Sequence, residues 1–481
     1  MTAAKILLSS LLSLVIPLLI GFSIVSILWC RKGPTLFHLL IKACLAIAVG
    51  FGVSSCVFFI WVSSLSPSRE KFFIIEITLL LASMTILLYR IKGWNYSIYS
   101  KFHSHPIRKS TISIILSIGF YVAISLMVMV FIFLSLKDPH GGYDGWEIWN
   151  MHARFMFRGA DRWSDYLSDN FHYSHPDYPL LISASIARCW QYIGRDTVII
   201  PIVVSMFFTF ATVGLMFSSI AVLRSKSQGC LAALVLLTTP FFVANGAAQY
   251  ADIPLGFFFL STVVLCTLQE RLSVENYGLL TLAGLMTGFA AWTKNEGMLF
   301  IVTVMVAHSA VIIHFKGHVV YFRQTRSFLL GLFPVLAVVV YFKMGFAPQN
   351  DWLSAQGLSS TIARFTDFSR YIDVLKAFAR GFFHFGDWHP VVNLPFLLLF
   401  YALILGIHVE SNERSSIFNA VLVFVLMLGG YFFIYITTPH PLPWHLSTSL
   451  DRLFLQLWPT FVFSYFLVVR TVEKALISKE S

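Results

Sequence analysis

The feature that most constrains this chain is a succession of apolar runs, each near the length of a bilayer crossing. A membrane-spanning helix needs about 20 mostly apolar residues. With no water in the bilayer core, its backbone must close its own hydrogen bonds. Thirteen runs qualify, at roughly 6–29, 43–62, 72–89, 112–135, 197–222, 229–247, 253–268, 277–292, 297–315, 327–345, 391–408, 416–437 and 453–469. They predict an all-α polytopic membrane protein with about 13 transmembrane helices. Composition agrees. Of 481 residues, 57% are hydrophobic and 12% charged, about half the charged share of a soluble domain. The first run is too long for a signal peptide, and lacks the charged start and small-residue cleavage site of one.

Orientation follows from Lys and Arg in the connections. With the C-terminus placed in the cytoplasm, 18 of them fall on the inner side and 5 in the short outer segments. Two long outer loops, about 136–196 and 346–390, are left out of the count because long loops escape the rule. Thirteen spans then put the N-terminus outside. A net charge of +11 raises nucleic acid as a partner, but no basic run or nucleic-acid motif supports it. Basic membrane-flanking loops explain the charge better. Five of the six cysteines (Cys30, Cys44, Cys56, Cys189, Cys230, Cys266) lie in or at the ends of apolar runs, and no C-x-x-C pair exists. Disulfides and a thiolate metal site are therefore not expected.

Four polar stretches fall on the outer side of this topology: GGYDGWEIWNMHARFMFRG (141–159), AAQYADIPL (247–255), WTKNEG (292–297) and PHPLPWHLSTSLDR (439–452). Their convergence on one membrane face is the main functional signal. The first reads as an interfacial helix from Gly145. Trp146, Trp149, Ala153 and Phe157 share one face, and Glu147, Arg154 and Arg158 another. Asp144 before it has a plain reading as an N-cap, with Glu147 completing a capping box. Asp252 has the same plain reading before a helix with proline in its first turn. An acid at a membrane mouth is costly unless paired or wet, which favours function there. Lys294 and Glu296 read either as an ion pair in a solvated loop or as site residues. Arg452 reads either as a snorkelling arginine or as a phosphate clamp, since guanidinium matches phosphate geometry. The outer histidines His172, His175, His440 and His445 lack H-x-x-x-H spacing or a tight carboxylate set, so no metal site is assigned.

These residues together resemble a family. The acid at the head of the first outer loop, HYSHPDYPLLIS (172–183), the acid in YADIPL, GFAAWTKNEG (288–297) and WHLSTSLDRLFLQLWP (444–459) are similar to membrane glycosyltransferases of the GT-C fold. The nearest branch is the dolichyl-phosphate-mannose protein mannosyltransferase and aminoarabinose transferase group. The resemblance covers about 112–470. It makes 1–111 an N-terminal accessory block, 112–470 the catalytic domain and 471–481 a cytoplasmic tail.

The resemblance implies juxtamembrane helices in both large outer loops and a polyprenyl-phosphate sugar as donor. The acceptor is a glycan, lipid or protein. Asp144 maps to the catalytic base and Asp252 to the second acid. The family's adjacent acid pair is replaced here by Asp144 and Glu147. Lys294 and Arg452 become the groups facing the phosphate, backed by Arg154 and Arg158. Tyr143, Trp146, Glu296 and His175 are further donor contacts. No cofactor is called for, and nothing in the spacing supports a divalent cation. The expected setting is a prokaryotic plasma membrane, with cell-envelope glycosylation on its outer side. Two other readings remain open: a transporter or flippase for a lipid-linked saccharide, which needs a polar path through the membrane, and an O-antigen-type polymerase or ligase.

Overall fold

A computed structural model describes residues 3–29, 35–64, 68–92, 111–272, 277–349, 358–388 and 393–474. Arg31, Lys32, Lys101, Arg108, Lys109 and Lys479, which contribute to the orientation count, and Cys30 lie outside the described residues. The described chain is helical throughout, and its β-type pairing is an isolated bridge between Ile407 and Val469.

Four long helices open the chain: α1 (Ala3–Leu28), α2 (Leu36–Val62), α3 (Arg69–Lys92) and α4 (Thr111–Lys137). The segment after α4 contains α5 (Met151–Arg158) and α6 (Leu181–Ile193). The centre of the chain forms α7 (Ile199–Leu223), α8 (Lys226–Leu237), α9 (Pro240–Ala247), α10 (Asp252–Arg271), α11 (Gly278–Thr293), α12 (Glu296–Lys316) and α13 (His318–Gly345). The segment after α13 contains α14 (Leu358–Thr366) and α15 (Phe368–His384). The chain ends with α16 (Leu394–Leu405), α17 (Arg414–Thr437) and α18 (Leu442–Val468).

Among the described residues, nine helices are long and apolar enough to cross a membrane. The chain is thus an integral membrane protein. All thirteen apolar runs appear as helices, but not all as plain spans. The run at 229–247 is broken into α8 and α9, bent by 64°. Pro240 has no N–H to offer the preceding turn. The hydroxyls of Thr238 and Thr239 instead donate back to the carbonyls of Leu234 and Val235, at 2.7 Å each. The runs at 277–292 and 391–408 form helices of only 16 and 12 residues.

The axis of the molecule is α10, buried from Asp252 through Gln269. Around it stand α7, α11, α17 and α18. The outermost helices, α3 and α4, turn apolar side chains outward: Leu81, Ile115, Phe133 and Leu136 are each more than half exposed. An apolar surface of that extent belongs against lipid. The tightest pairs use glycine where backbones touch. A Cβ on Gly21 of α1 would lie 1.9 Å from the Ala46 carbonyl oxygen of α2, and one on Gly331 of α13 1.9 Å from that of Thr281 in α11. Small residues allow this approach between membrane helices.

The first three helices are tied into the rest of the body. Glu76 of α3 and Arg188 of α6 form a fully buried bidentate pair, at 2.7 and 2.8 Å. The Tyr192 hydroxyl donates to the same carboxylate at 2.6 Å, and Arg188 also reaches the Ser13 carbonyl of α1. The helices α1 and α3 therefore contribute packing surface to α6.

A buried pair is strongly destabilised by loss of one partner, because an uncompensated charge remains. Glu76→Ala is expected to cost about 3–5 kcal/mol, and Glu76→Leu with Arg188→Met to recover most of it. Thermal unfolding in detergent measures both. Equal transition temperatures for wild type and the single variant would show that the pair does not hold the fold.

Candidate functional site

The first residue of α10, Asp252, is fully buried. An unpaired carboxylate there would be very costly. Three side chains from two other segments surround it. Lys294 Nζ lies 3.0 Å from Oδ1 and Gln456 Nε2 2.6 Å from the same oxygen. Arg452 donates through Nε and Nη2 to Oδ2 at 2.9 and 2.8 Å. Lys294 sits in the break between α11 and α12, while Arg452 and Gln456 are one turn apart on α18. Position 252 is also the positive end of the helix backbone, which adds to the compensation.

The network extends outward from this point. Arg452 Nη2 is 2.7 Å from Asp144 Oδ2. Lys294 Nζ is 2.9 Å from Glu296 Oε1, and Gln456 Nε2 is 3.2 Å from that oxygen. From α17, the Tyr431 hydroxyl donates to Gln456 Oε1 at 2.6 Å. Two rings face the cations. The Arg452 guanidinium lies 4.9 Å from the Tyr250 ring centre and Lys294 Nζ 5.8 Å from that of Tyr178, within cation–π range. Tyr178 is stacked by His175 at 4.7 Å and by Trp149 at 5.8 Å.

Three carboxylates and two cations make up this cluster, so it carries one excess negative charge. Burial alone would lower the pKa of Lys294. The Asp252 and Glu296 carboxylates outweigh burial and hold its pKa above the ordinary lysine range, so it stays cationic. Burial pushes the Tyr178 and Tyr250 hydroxyls up, the second helped by the Asp144 charge. Neither phenol ionises near neutral pH.

The polar spots predicted to share one face do so: Asp144, Asp252, Lys294, Glu296 and Arg452 form one network. The local readings of the two aspartates are overturned. Asp144 makes no side-chain cap bond to the following turn, because its carboxylate is turned to Arg452. Asp252 lies within the first turn of α10 and spends its oxygens on Lys294, Arg452 and Gln456. Lys294 and Glu296 are indeed an ion pair, but a largely buried one, with Lys294 at 4% exposure.

Other expected members lie elsewhere. Arg154 and Arg158 pair with Asp196, Arg154 Nε at 3.5 Å, rather than with this cluster. Glu147 is buried and makes no hydrogen bond or ion pair among the described residues. His175 stacks on Tyr178, whose ring faces Lys294. The predicted Trp face also breaks up: Trp149 is 1% exposed and Trp146 45%. Residues Gly145–Asn150 form a π-helix, not an α-helix. Its wider turn shifts the phase that i, i+3 spacing assumes. Trp146 instead meets the exposed Tyr143 edge-on, with ring centres 5.9 Å apart.

Gln456, Tyr431, Tyr250 and Tyr178 were not anticipated. Gln456 had a legible signal, as a polar residue four positions after Arg452, inside the apolar stretch LFLQLW. Tyr431 had none inside its apolar run. Among the described residues, no group of three His, Cys, Asp or Glu side chains could hold a metal ion. His445 instead bonds the Thr438 hydroxyl at 2.9 Å.

Asp252→Ala should cost several times more stability than Asp144→Ala, since it removes the fully buried carboxylate that Lys294 and Arg452 share, while Asp144 is a partly exposed single partner. Thermal unfolding of both variants tests this, and equal losses would contradict it. A pH dependence is expected from His152 of α5, buried beside Tyr166 with ring centres 4.3 Å apart. Burial lowers its pKa to about 3, so the unfolded chain takes up a proton that the fold refuses. That part of the stability is complete above about pH 6.5 and falls as pH drops toward 3, by about 1.4 kcal/mol per unit. Wild type should lose stability between pH 7 and pH 5 more steeply than His152→Phe.

No protein family, no curated protein and no solved structure matches this chain.

Proposed function

We propose that this protein is a membrane glycosyltransferase of the GT-C type, moving a sugar from a polyprenyl-phosphate donor to an acceptor hydroxyl or amine. One observation carries the reading: Arg452 joins Asp144 to Asp252, with Lys294 on the far side of Asp252. That puts a base and two cations together at the mouth of the helix bundle.

The two aspartates differ in what they have left to give. Both Asp252 oxygens are engaged, by Lys294 and Gln456 on one and Arg452 on the other, so Asp252 is an anchor that aims the cations. Asp144 has a single partner and 17% side-chain exposure. It is the carboxylate free to take a proton. The Nη1 corner of Arg452 carries no hydrogen bond among the described residues, which leaves a donor position for a phosphate oxygen.

The acceptor O–H gives its proton to Asp144 while its oxygen bonds the anomeric carbon. The bond from that carbon to the phosphate oxygen breaks, and its electron pair leaves with the lipid phosphate. A single displacement of this kind inverts the anomeric centre. The leaving group is already a stable anion and needs no general acid. Asp144 loses a negative charge as the phosphate gains one, so the net charge of the site is unchanged. Lys294 and Arg452 stabilise the growing phosphate charge. The exposed Tyr143 and Trp146 offer an amphipathic edge for the donor at headgroup level.

In this reading the nine long helices, the bent α8–α9 pair, α11, α16 and α18 are thirteen spans. The Asp252 end faces away from the cytoplasm of a prokaryotic plasma membrane. Purified protein is incubated with radiolabelled polyprenyl-phosphate sugars, and release of lipid phosphate is followed. One donor should turn over. Asp144→Asn should lower the rate by about 10²–10⁴, and Arg452→Lys should also lower it, since an ammonium cannot hold two partners in a fork. Wild-type rates in Asp144→Asn would remove it as the base. No turnover of any donor would remove the transferase reading.

A further inference from the structure

A second feature of the outer surface lies apart from the charge cluster. An open cavity of about 840 Å³ is formed where the short turns of residues 160–174 meet the end of α13. That is within the range of small-molecule sites, roughly 300–1,000 Å³. Phe155, Phe171 and Phe346 supply aromatic surface, while Arg162, Asp165 and Asn170 supply planar polar groups. We propose that this groove binds a saccharide, the acceptor of the transfer reaction.

The chemistry of the walls favours a sugar. A pyranose has apolar C–H faces and a rim of adjacent hydroxyls. Aromatic faces cover the first, and planar amide, carboxylate and guanidinium groups pair with the second in a forked manner. Arg162 and Asp165 are held to each other, 2.7 Å from Nε to Oδ2, so a donor and an acceptor are presented side by side. The side chains of Asn170 and Ser164 make no hydrogen bond among the described residues. A peptide would need backbone partners. The carbonyls of Ser164, Asp165 and Ser168 are already taken by the N–H groups of Leu167, Ser168 and Phe171.

The groove is also joined to the charge cluster on two sides. Phe155 belongs to α5, which continues directly from the turn after Asp144. Phe346 follows Lys343, whose Nζ is 2.7 Å from Asn295 Oδ1 and 3.8 Å from Asp177 Oδ2. Asn295 donates to Asp177 at 2.7 Å and is the neighbour of Lys294. A ligand in the groove therefore rests on elements that also fix the base and a cation. That the bound saccharide is the acceptor rests on the transferase reading; binding itself does not.

The test is saturation-transfer NMR on the purified full chain, in a detergent without a sugar headgroup. The probes are mannotriose, chitotriose, cellotriose and maltotriose. At least one should receive saturation at its ring C–H protons. Asn170→Ala and Phe171→Leu should weaken it by about tenfold, the loss of one hydrogen bond or one ring contact. If no trisaccharide binds, or both groove variants bind normally, the inference is overturned. Donor turnover without saccharide binding would overturn this inference and leave the transferase. Saccharide binding without turnover of any donor would do the reverse.

Discussion

A carboxylate at the head of a fully buried helix has to be compensated, and this requirement organises one whole end of the molecule. Asp252 draws Lys294 from the α11–α12 break and Arg452 and Gln456 from α18. Those groups in turn hold Asp144, Glu296 and Tyr431. The chain segments that meet there are as much as 308 positions apart in sequence, from Asp144 to Arg452. No hydrophobic contact would demand that register. Apolar packing brings the helices together, and the ion pairs decide how they are aligned along their axes. Such pairs are costly to break and contribute little net stability over an apolar replacement.

Opposite that mouth the bundle is fastened in another way. Arg224 and Arg271 both reach Glu413, Arg224 through Nη1 at 3.1 Å. Arg224 also donates to the His408 carbonyl at 3.0 Å. Gln228 donates to the carbonyls of Phe466 and Val469 at 3.0 Å each. The two ends of α10 thus carry Asp252 and Arg271, of opposite sign and with different surroundings. At the Arg271 end, side chains satisfy backbone carbonyls and close the structure. At the Asp252 end, Asp144 and Arg452 keep partial exposure. The difference in exposure, rather than the presence of charge, separates the candidate site from a structural clasp.

Much of this was legible in the sequence. Run length alone located every long helix of the bundle, and Lys and Arg asymmetry grouped Asp144, Asp252, Lys294, Glu296 and Arg452 on one side before any contact was known. What escaped was whatever depends on partners far away or on local backbone geometry. Asp144 has the spacing of a capping box, and nothing near it in sequence reveals that an arginine over 300 residues on claims its carboxylate. The Trp146–Trp149 face assumed an α-helical phase that the π-turn at 145–150 does not keep. Arg154 and Arg158 are on the helix next to the site, yet Asp196 lies nearer to them. Tyr431 sits in a run of aromatic and aliphatic residues where its hydroxyl gives no pattern. Pairing between distant segments is set by packing, and single-residue patterns do not encode it.

The clasp at the Arg271 end has a mechanical consequence. It grips the foot of α18 through the Gln228 bonds to Phe466 and Val469, while Arg452 rides about 24 Å farther along that helix at 1.5 Å per residue. Pro459 lies between the two points, where the helix ladder lacks an N–H and bends most easily. The upper part of α18 is therefore a lever arm with a fixed base and a built-in flexure. A bend of about 10° at Pro459, seven residues below Arg452, would carry that part of the helix about 2 Å.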